Sequence, residues 1–451
     1  MFCKKIKLRM SEIDSRTKNV VKNSAATALM KAGVLACSLI MVPITLDYLN
    51  PENYGIWMAM TSVLYWFAFF DVGLGNGMRN YLAEAISLND YAKAKSYFST
   101  AIFLLSLIAV SMGIVSLLAV SRLNLNSIFN TYSVDGRTLA TVMSIAISFT
   151  LIQFVAKNVG MVYIAMQKYA MNDLIIFIGQ VISIVVIYTI TKTTEPSLLY
   201  IVSAITGIPA LVFILAFVPL LKQYPQIRPD FRSIDVDSAK KIVKKGLGFF
   251  IIQITSCLVI FGSANIFISH YCGPDQVTVY NISYKLFNIL IIGYTIVLSP
   301  LWNAYTDAAV QGDYVWIRRI FRKSVFLWIV SVITGIFLLS LSGWFFDKWV
   351  GKNVDIPVGV SLTVLGYVCM FNFNNCVTYL INGLNKIKVQ IFTSVTGTFF
   401  YLILICLFIK GDCGIYGISI SMGMIYLLMS IIHLYQCKLL LTNKARGIWN
   451  K

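Results

Sequence analysis

Apolar stretches long enough to cross a bilayer alternate with short polar connections along this whole 451-residue chain. A helix needs about 20 apolar residues to traverse the ~30 Å of hydrocarbon. The pattern therefore predicts spans at 24–48, 54–73, 97–120, 140–164, 171–191 and 197–221, then at 247–269, 277–300, 324–346, 357–381, 389–409 and 413–437. Strict alternation of apolar and polar residues, the mark of a membrane β-barrel, is absent. The expected fold class is an all-α integral membrane protein of about twelve transmembrane helices.

Charge fixes the orientation. Hydrophobic residues make up 58% of the chain and charged residues 12%, half the usual share for a water-soluble domain. Of the 37 Lys and Arg, 28 fall in the two tails and in every second connection, six on the other side and three inside spans. Such asymmetry places both termini in the cytoplasm. It also accounts for the net charge of +18 without nucleic acid, because cationic loops suit an anionic leaflet. No cleavable signal is expected, since the first apolar run is too long for one. The nine cysteines show no metal spacing and the two histidines, His270 and His433, each stand alone. They are read as packing residues, with no metal, cofactor or catalytic group expected.

The chain repeats itself at an offset of 223 residues. Pro51-Glu52 lies over Pro274-Asp275, Asn80 over Asn303, Glu84 over Asp307, Asp90-Tyr91 over Asp313-Tyr314, and Lys95 over Arg318. No gap interrupts some 45 positions. Each half holds an even number of spans, so both enter from the same side, and a parallel repeat with a cavity between halves is expected. The organisation reads as a basic tail (1–23), a six-helix half (24–221), a cytoplasmic linker (222–246), a second six-helix half (247–437) and a second tail (438–451). Val236–Lys245 in the linker has the makings of a short basic surface helix.

Three lysines are stranded in apolar spans, and a cation there is costly and usually functional. Lys31 shares a stripe with Thr27 and Ser38. Gln153 and Lys157 are four apart, with Asn158 adjacent. Asn281, Lys285 and Asn288 fall at i, i+4 and i+7, one face of a helix. Such faces belong against protein or a wet cavity; snorkelling to the headgroups is the competing reading. With Asn375 of an asparagine cluster in the tenth span, these are the substrate-binding candidates. A cationic surface with amides and aromatics suits an anionic, sugar-bearing cargo. Asp71, Arg79, Glu84 and Asp307 are candidates for a cytoplasmic gate or for ion coupling.

The stretch DVGLGNGMRNYLAEA (71–85), preceded by NPENYGIW (50–57), resembles the polysaccharide transporter family. More narrowly it resembles the Wzx-type O-antigen flippases of the multidrug/oligosaccharidyl-lipid/polysaccharide (MOP) superfamily. The resemblance implies a MATE-like fold in the bacterial inner membrane and a part in lipopolysaccharide biosynthesis. It implies transfer of undecaprenyl-diphosphate-linked oligosaccharide from the cytoplasmic to the periplasmic leaflet by alternating access. The partners implied are the lipid-linked oligosaccharide, membrane lipids, a polysaccharide polymerase with its chain-length regulator, and a coupling H+ or Na+.

Two other functions compete. A multidrug or cation antiporter of the same superfamily handles cations and should carry carboxylates in its central spans; the seventh and eighth spans have none. A membrane-embedded polymerase or glycosyltransferase should carry large outer loops rich in Asp, Arg or His. Here the longest outer loop, about 120–139, offers only Arg122, Asp135 and Arg137.

Overall fold

The structure is a computed structural model and describes residues 15–69, 74–166, 168–243, 260–351, 354–410 and 413–450. Among these residues the regular structure is helical throughout, with no strand. Ten stretches among the described residues are long and apolar enough to cross a membrane. The first of them, Leu29–Phe67, lies within α1 (Ser15–Phe69), which turns sharply at Asn50 (φ 68°) and so comprises two segments. With ψ at 165° this is an extended positive-φ conformation rare outside glycine; the Asn50 Oδ1 accepts from Asn53 N–H at 2.9 Å, and Pro51 starts the next helix in the position proline tolerates. The expected seventh span is described only over Ile260–Cys272. The fold is an all-α integral membrane protein.

After α1 come α2 (Leu74–Ser87), α3 (Tyr91–Arg122), α4 (Leu125–Phe129), α5 (Gly136–Ala156), α6 (Asn158–Ala165), α7 (Tyr169–Thr193), α8 (Leu198–Leu215) and α9 (Phe217–Gln223). The later helices are α10 (Ile260–Cys272), α11 (Pro274–Val310), α12 (Tyr314–Trp349), α13 (Val358–Gly383), α14 (Lys388–Lys410) and α15 (Tyr416–Leu441).

The chain divides into two compact units. The first contains residues 1–48, 67–123 and 137–250; the second contains 49–66, 124–136 and 251–451. In the second unit α13 and α15 are mostly buried, whereas α12 exposes Phe326, Ile333, Ile336, Phe337 and Trp344. Exposure of such side chains is what a lipid-facing helix requires.

The internal repeat is visible in the backbone. Asn50 and Gly273 both take positive φ, as do Asn89 and Gly312. At the end of α2, Asp90 N–H donates to Ala85 O and Asn89 N–H to Ile86 O. At the end of α11, Asp313 N–H donates to Ala308 O and Gly312 N–H to Ala309 O. Each pair is a Schellman closure. The same Asp then caps the next helix: Asp90 accepts from Lys93 N–H at 3.0 Å and Asp313 from Trp316 N–H at 2.9 Å. Every one of these matches keeps the 223-residue offset.

The linker is docked within the first unit. Asp230 N–H donates to Ser99 Oγ at 3.0 Å and Asp235 N–H to Thr100 Oγ1 at 3.1 Å, both on α3. Lys95 Nζ reaches Asp230 Oδ2 at 3.2 Å, and Lys168 Nζ donates to the Tyr224 hydroxyl at 2.7 Å. The Asp230 carboxyl is held below its ordinary range, chiefly by the Arg232 backbone N–H and then by the Lys95 ammonium. Residues 236–243 are helical, in the stretch expected to form a surface helix.

Candidate functional site

In the first unit, Lys157 occupies the break between α5 and α6. The cause lies next to it. Asn158 is fully buried and its amide donates back to the Phe154 and Val155 carbonyls, at 3.2 Å each. A short polar side chain that bonds its own backbone competes with the regular ladder and bends the helix. Lys157 N–H still donates to the Gln153 carbonyl at 2.8 Å, and Nζ lies 5.3 Å from the centre of the Phe154 ring. That is within cation–π range. Gln153 is half-buried beside it. The Asn158 Oδ1 is buried without a hydrogen-bond partner among the described residues. A cation and an unspent acceptor thus sit together at a bent, membrane-embedded point. Lys31 on α1 is exposed, and Ser38 half-buried.

In the second unit the expected stripe of α11 is held by groups from two other segments. Asn281 is buried, donating to Asn265 Oδ1 at 2.9 Å and to the Val277 carbonyl at 2.8 Å. Asn265 in turn donates to the Met58 carbonyl at 3.1 Å. One turn further along α11, Lys285 Nζ donates to the Tyr54 hydroxyl at 3.2 Å. It also lies 5.9 Å from the centre of that ring. Tyr54 is 1% exposed, so the hydroxyl is a fixed partner. Among the described residues no carboxylate pairs with Lys285.

Aromatic rings continue from this point. Tyr284 stacks on Tyr280 and on Tyr367, with centroids 6.1 and 6.3 Å apart, and Tyr367 meets Tyr426 at 6.0 Å. Asn288 is half-buried, as is Asn375. Its neighbours Asn372 and Asn374 tie helices together. Asn372 donates to the Leu290 carbonyl at 3.3 Å, and Asn374 Oδ1 meets His433 Nδ1 at 3.1 Å. His433 is buried, its second nitrogen 2.8 Å from Thr393 Oγ1. It ties α15 to α13 and α14.

The gate candidates are Asp71, Arg79, Glu84 and Asp307. Asp71 and the side chain of Asp307 lie outside the described residues. Arg79 and Glu84 both belong to α2, but five residues at 100° each put them about 140° apart on its surface. Leu74, Met78, Leu82 and Ala85 form the buried stripe. Arg79 is half-buried beside it and Glu84 is exposed, near enough to act electrostatically on Lys93.

Tyr54 and Asn265 escaped the sequence reading. Helical periodicity tells which face of α11 is polar; it carries no information on which segment meets that face.

No protein-family model matches the chain. It is 21% identical over 378 residues to the "Putative O-antigen transporter" of Salmonella typhi, covering 81% of this chain and 84% of that protein. It is 21% identical over 339 residues to the "Putative O-antigen export protein" of Yersinia pseudotuberculosis, covering 72% and 74%. Among solved structures, a multidrug-resistance MATE family transporter of the MOP superfamily in an inward-facing conformation superposes with a TM-score of 0.78. The identity is 14%, over 91% of this chain and 95% of that one. A MOP superfamily transporter from Pyrococcus furiosus, described as having a binding pocket of reverse polarity, superposes with a TM-score of 0.64 at 13% identity. It covers 95% and 97% of the two chains. The chain therefore has a MATE-like membrane transporter fold and is similar in sequence, across most of its length, to curated O-antigen transport proteins.

Proposed function

We propose that this protein is a flippase for a lipid-linked, anionic oligosaccharide. It would carry an undecaprenyl-diphosphate-linked repeat unit from the cytoplasmic to the periplasmic leaflet of the bacterial inner membrane, with both termini in the cytoplasm. The observation that carries the reading is Lys285: a membrane-embedded ammonium held by a neutral phenol, with no carboxylate partner among the described residues. A cation kept unneutralised at that depth is expensive and is suited to meeting a negative charge. Lys157 and Lys31 are assigned the same role, with the half-buried Gln153, Asn288 and Asn375 offering amides to sugar hydroxyls and the buried Asn158 and Asn281 holding the helices around them. Similarity to proteins named for O-antigen transport supports the cargo class, and the MATE-like fold supports alternating access. In that mode the cargo site opens to one leaflet at a time, and a coupling H+ or Na+ drives the cycle.

The antiporter reading draws on the multidrug names of the structural neighbours. It asks for a cation site, and the described chemistry around Lys285 is of the opposite sign.

The test is complementation of a host lacking its own flippase. Lys157→Ala and Lys285→Ala should each abolish surface polysaccharide while the protein stays in the membrane at normal amount. Normal polymer from all three of Lys31→Ala, Lys157→Ala and Lys285→Ala would overturn the proposal. Loss of drug tolerance with polymer intact would transfer the assignment to the antiporter.

A further inference from the structure

Between the end of α15 and the start of α12, wholly within the second unit, lies a cavity of about 510 Å³. Three cations line it: Arg318 and Arg322 from the first turns of α12, and Lys438 from the last turn of α15. No acidic residue is among its lining. Phe321, Leu434 and Tyr435 supply the apolar wall. Leu434 and Tyr435 are 40% and 53% exposed on a helix apolar enough to span the membrane. Four and seven residues on from Arg322 along α12, Phe326 and Ile329 are exposed.

The arrangement is therefore two-faced, with cations at the ends of two antiparallel spans and an apolar trough running from them toward the hydrocarbon. Arg318 is placed by structure, donating from Nη1 to the Leu441 carbonyl at 3.0 Å. A guanidinium has five N–H donors, so one bond to the helix end leaves capacity for a phosphate. None of these residues belongs to the candidate transport site.

We propose that this groove is a binding site for an anionic phospholipid. Its phosphate would sit among Arg318, Arg322 and Lys438, and its acyl chains would lie along Phe321, Leu434 and Tyr435. Basic pockets between spans at the positive side of a membrane recognise lipid headgroups by this pairing of charge and hydrocarbon. The trough separates a lipid from a free phosphate, for which an apolar wall is useless. Its opening onto the lipid-exposed flank of α12 and α15 favours bulk phospholipid over a carrier lipid.

The test uses the full chain in mild detergent, with lipid retention counted by native mass spectrometry. The probes are phosphatidylglycerol, phosphatidylcholine, undecaprenyl diphosphate and inorganic phosphate. Wild type should retain phosphatidylglycerol about tenfold better than phosphatidylcholine. The preference should vanish in R322Q/K438Q, which keeps the Arg318 bond to α15, and survive in R322K/K438R. Leu434→Trp, which fills the trough, should weaken retention although every charge remains. K93Q/K240Q, which removes exposed cations elsewhere, should behave as wild type. Matching elution volume and melting temperature without added lipid establish that each variant is folded. Equal retention of phosphatidylglycerol by wild type and R322Q/K438Q overturns the proposal. So does displacement of phosphatidylglycerol by equimolar inorganic phosphate or undecaprenyl diphosphate.

Discussion

The Lys285 ammonium donates to the Tyr54 hydroxyl at 3.2 Å, joining residues 231 apart in the chain. The bond separates the charge of the site from its scaffold. Tyr54→Phe removes the hydroxyl alone and leaves the buried ring. A single hydrogen bond to a charged group is worth about 1.5–3 kcal/mol. The expected outcome is surface polymer reduced about tenfold or more, with an unchanged amount of membrane-inserted protein. Tyr54→Ala also opens a cavity costing about 3–5 kcal/mol and should lower the melting temperature in detergent further than Tyr54→Phe does.

Gly55 follows that tyrosine at a close approach of two segments. A Cβ there would lie 1.8 Å from the Pro274 carbonyl oxygen and 3.0 Å from Thr278 Oγ1. Backbone cannot step aside as a flexible side chain can. Gly55→Ala should destabilise the fold by about 1–3 kcal/mol and break the bond from Thr278 Oγ1 to the Pro51 carbonyl, 2.6 Å long. Thermal unfolding of the purified chain measures this, and a wild-type melting temperature would refute it.

His433 bridges Asn374 on α13 and Thr393 on α14. His433→Leu leaves the Asn374 carbonyl oxygen buried and unpaired, at a cost of about 1–3 kcal/mol. His433→Leu with Asn374→Leu removes both sides of that bond and should cost less than the sum of the single changes. Additive losses in a double-mutant cycle would show that the pair contributes no mutual stabilisation.

The docked linker carries the clearest dependence on pH. The Asp230 carboxyl is depressed in the folded chain, so its contribution is present above the ordinary value of 3.8 and is lost as pH falls through its lower folded value. Asp235 acts in the same direction, held chiefly by the Ser238 backbone N–H. At neutral pH, Asp230→Asn should speed trypsin cleavage after Arg232, since the Lys95 pairing is gone. Between pH 7 and pH 5 the wild-type linker should stay equally resistant to a protease active across that range. Loss of protection already at pH 5 would contradict the assignment.

The sequence shows helix class, span positions and the polar stripe of α11 because all three depend on local spacing. The stripe at Asn281 and Lys285 does meet polar partners. Its partners were illegible, because Tyr54 and Asn265 sit in apolar segments whose periodicity says nothing about neighbours. The break at Lys157 was hidden for another reason: Asn158 looks like one more amide until its side chain is seen to take the carbonyls of its own helix. Ser99 and Thr100 likewise read as filler in an apolar run, yet they hold the linker. Arg79 and Glu84, near in sequence, fall on different faces of α2.

The border between the compact units crosses α1 at the Asn50 turn, which gives the chain an unusual timetable. Residues 49–66 group with the second unit, and Pro51 accepts its bond from Thr278, 227 residues later. At about 5–20 residues per second, synthesis needs about 10–45 s to close that interval. Throughout it, Tyr54 and the Met58 carbonyl must wait in the bilayer without Lys285 and Asn265. Residues 49–66 are therefore made early and completed late, by partners from the other end of the chain.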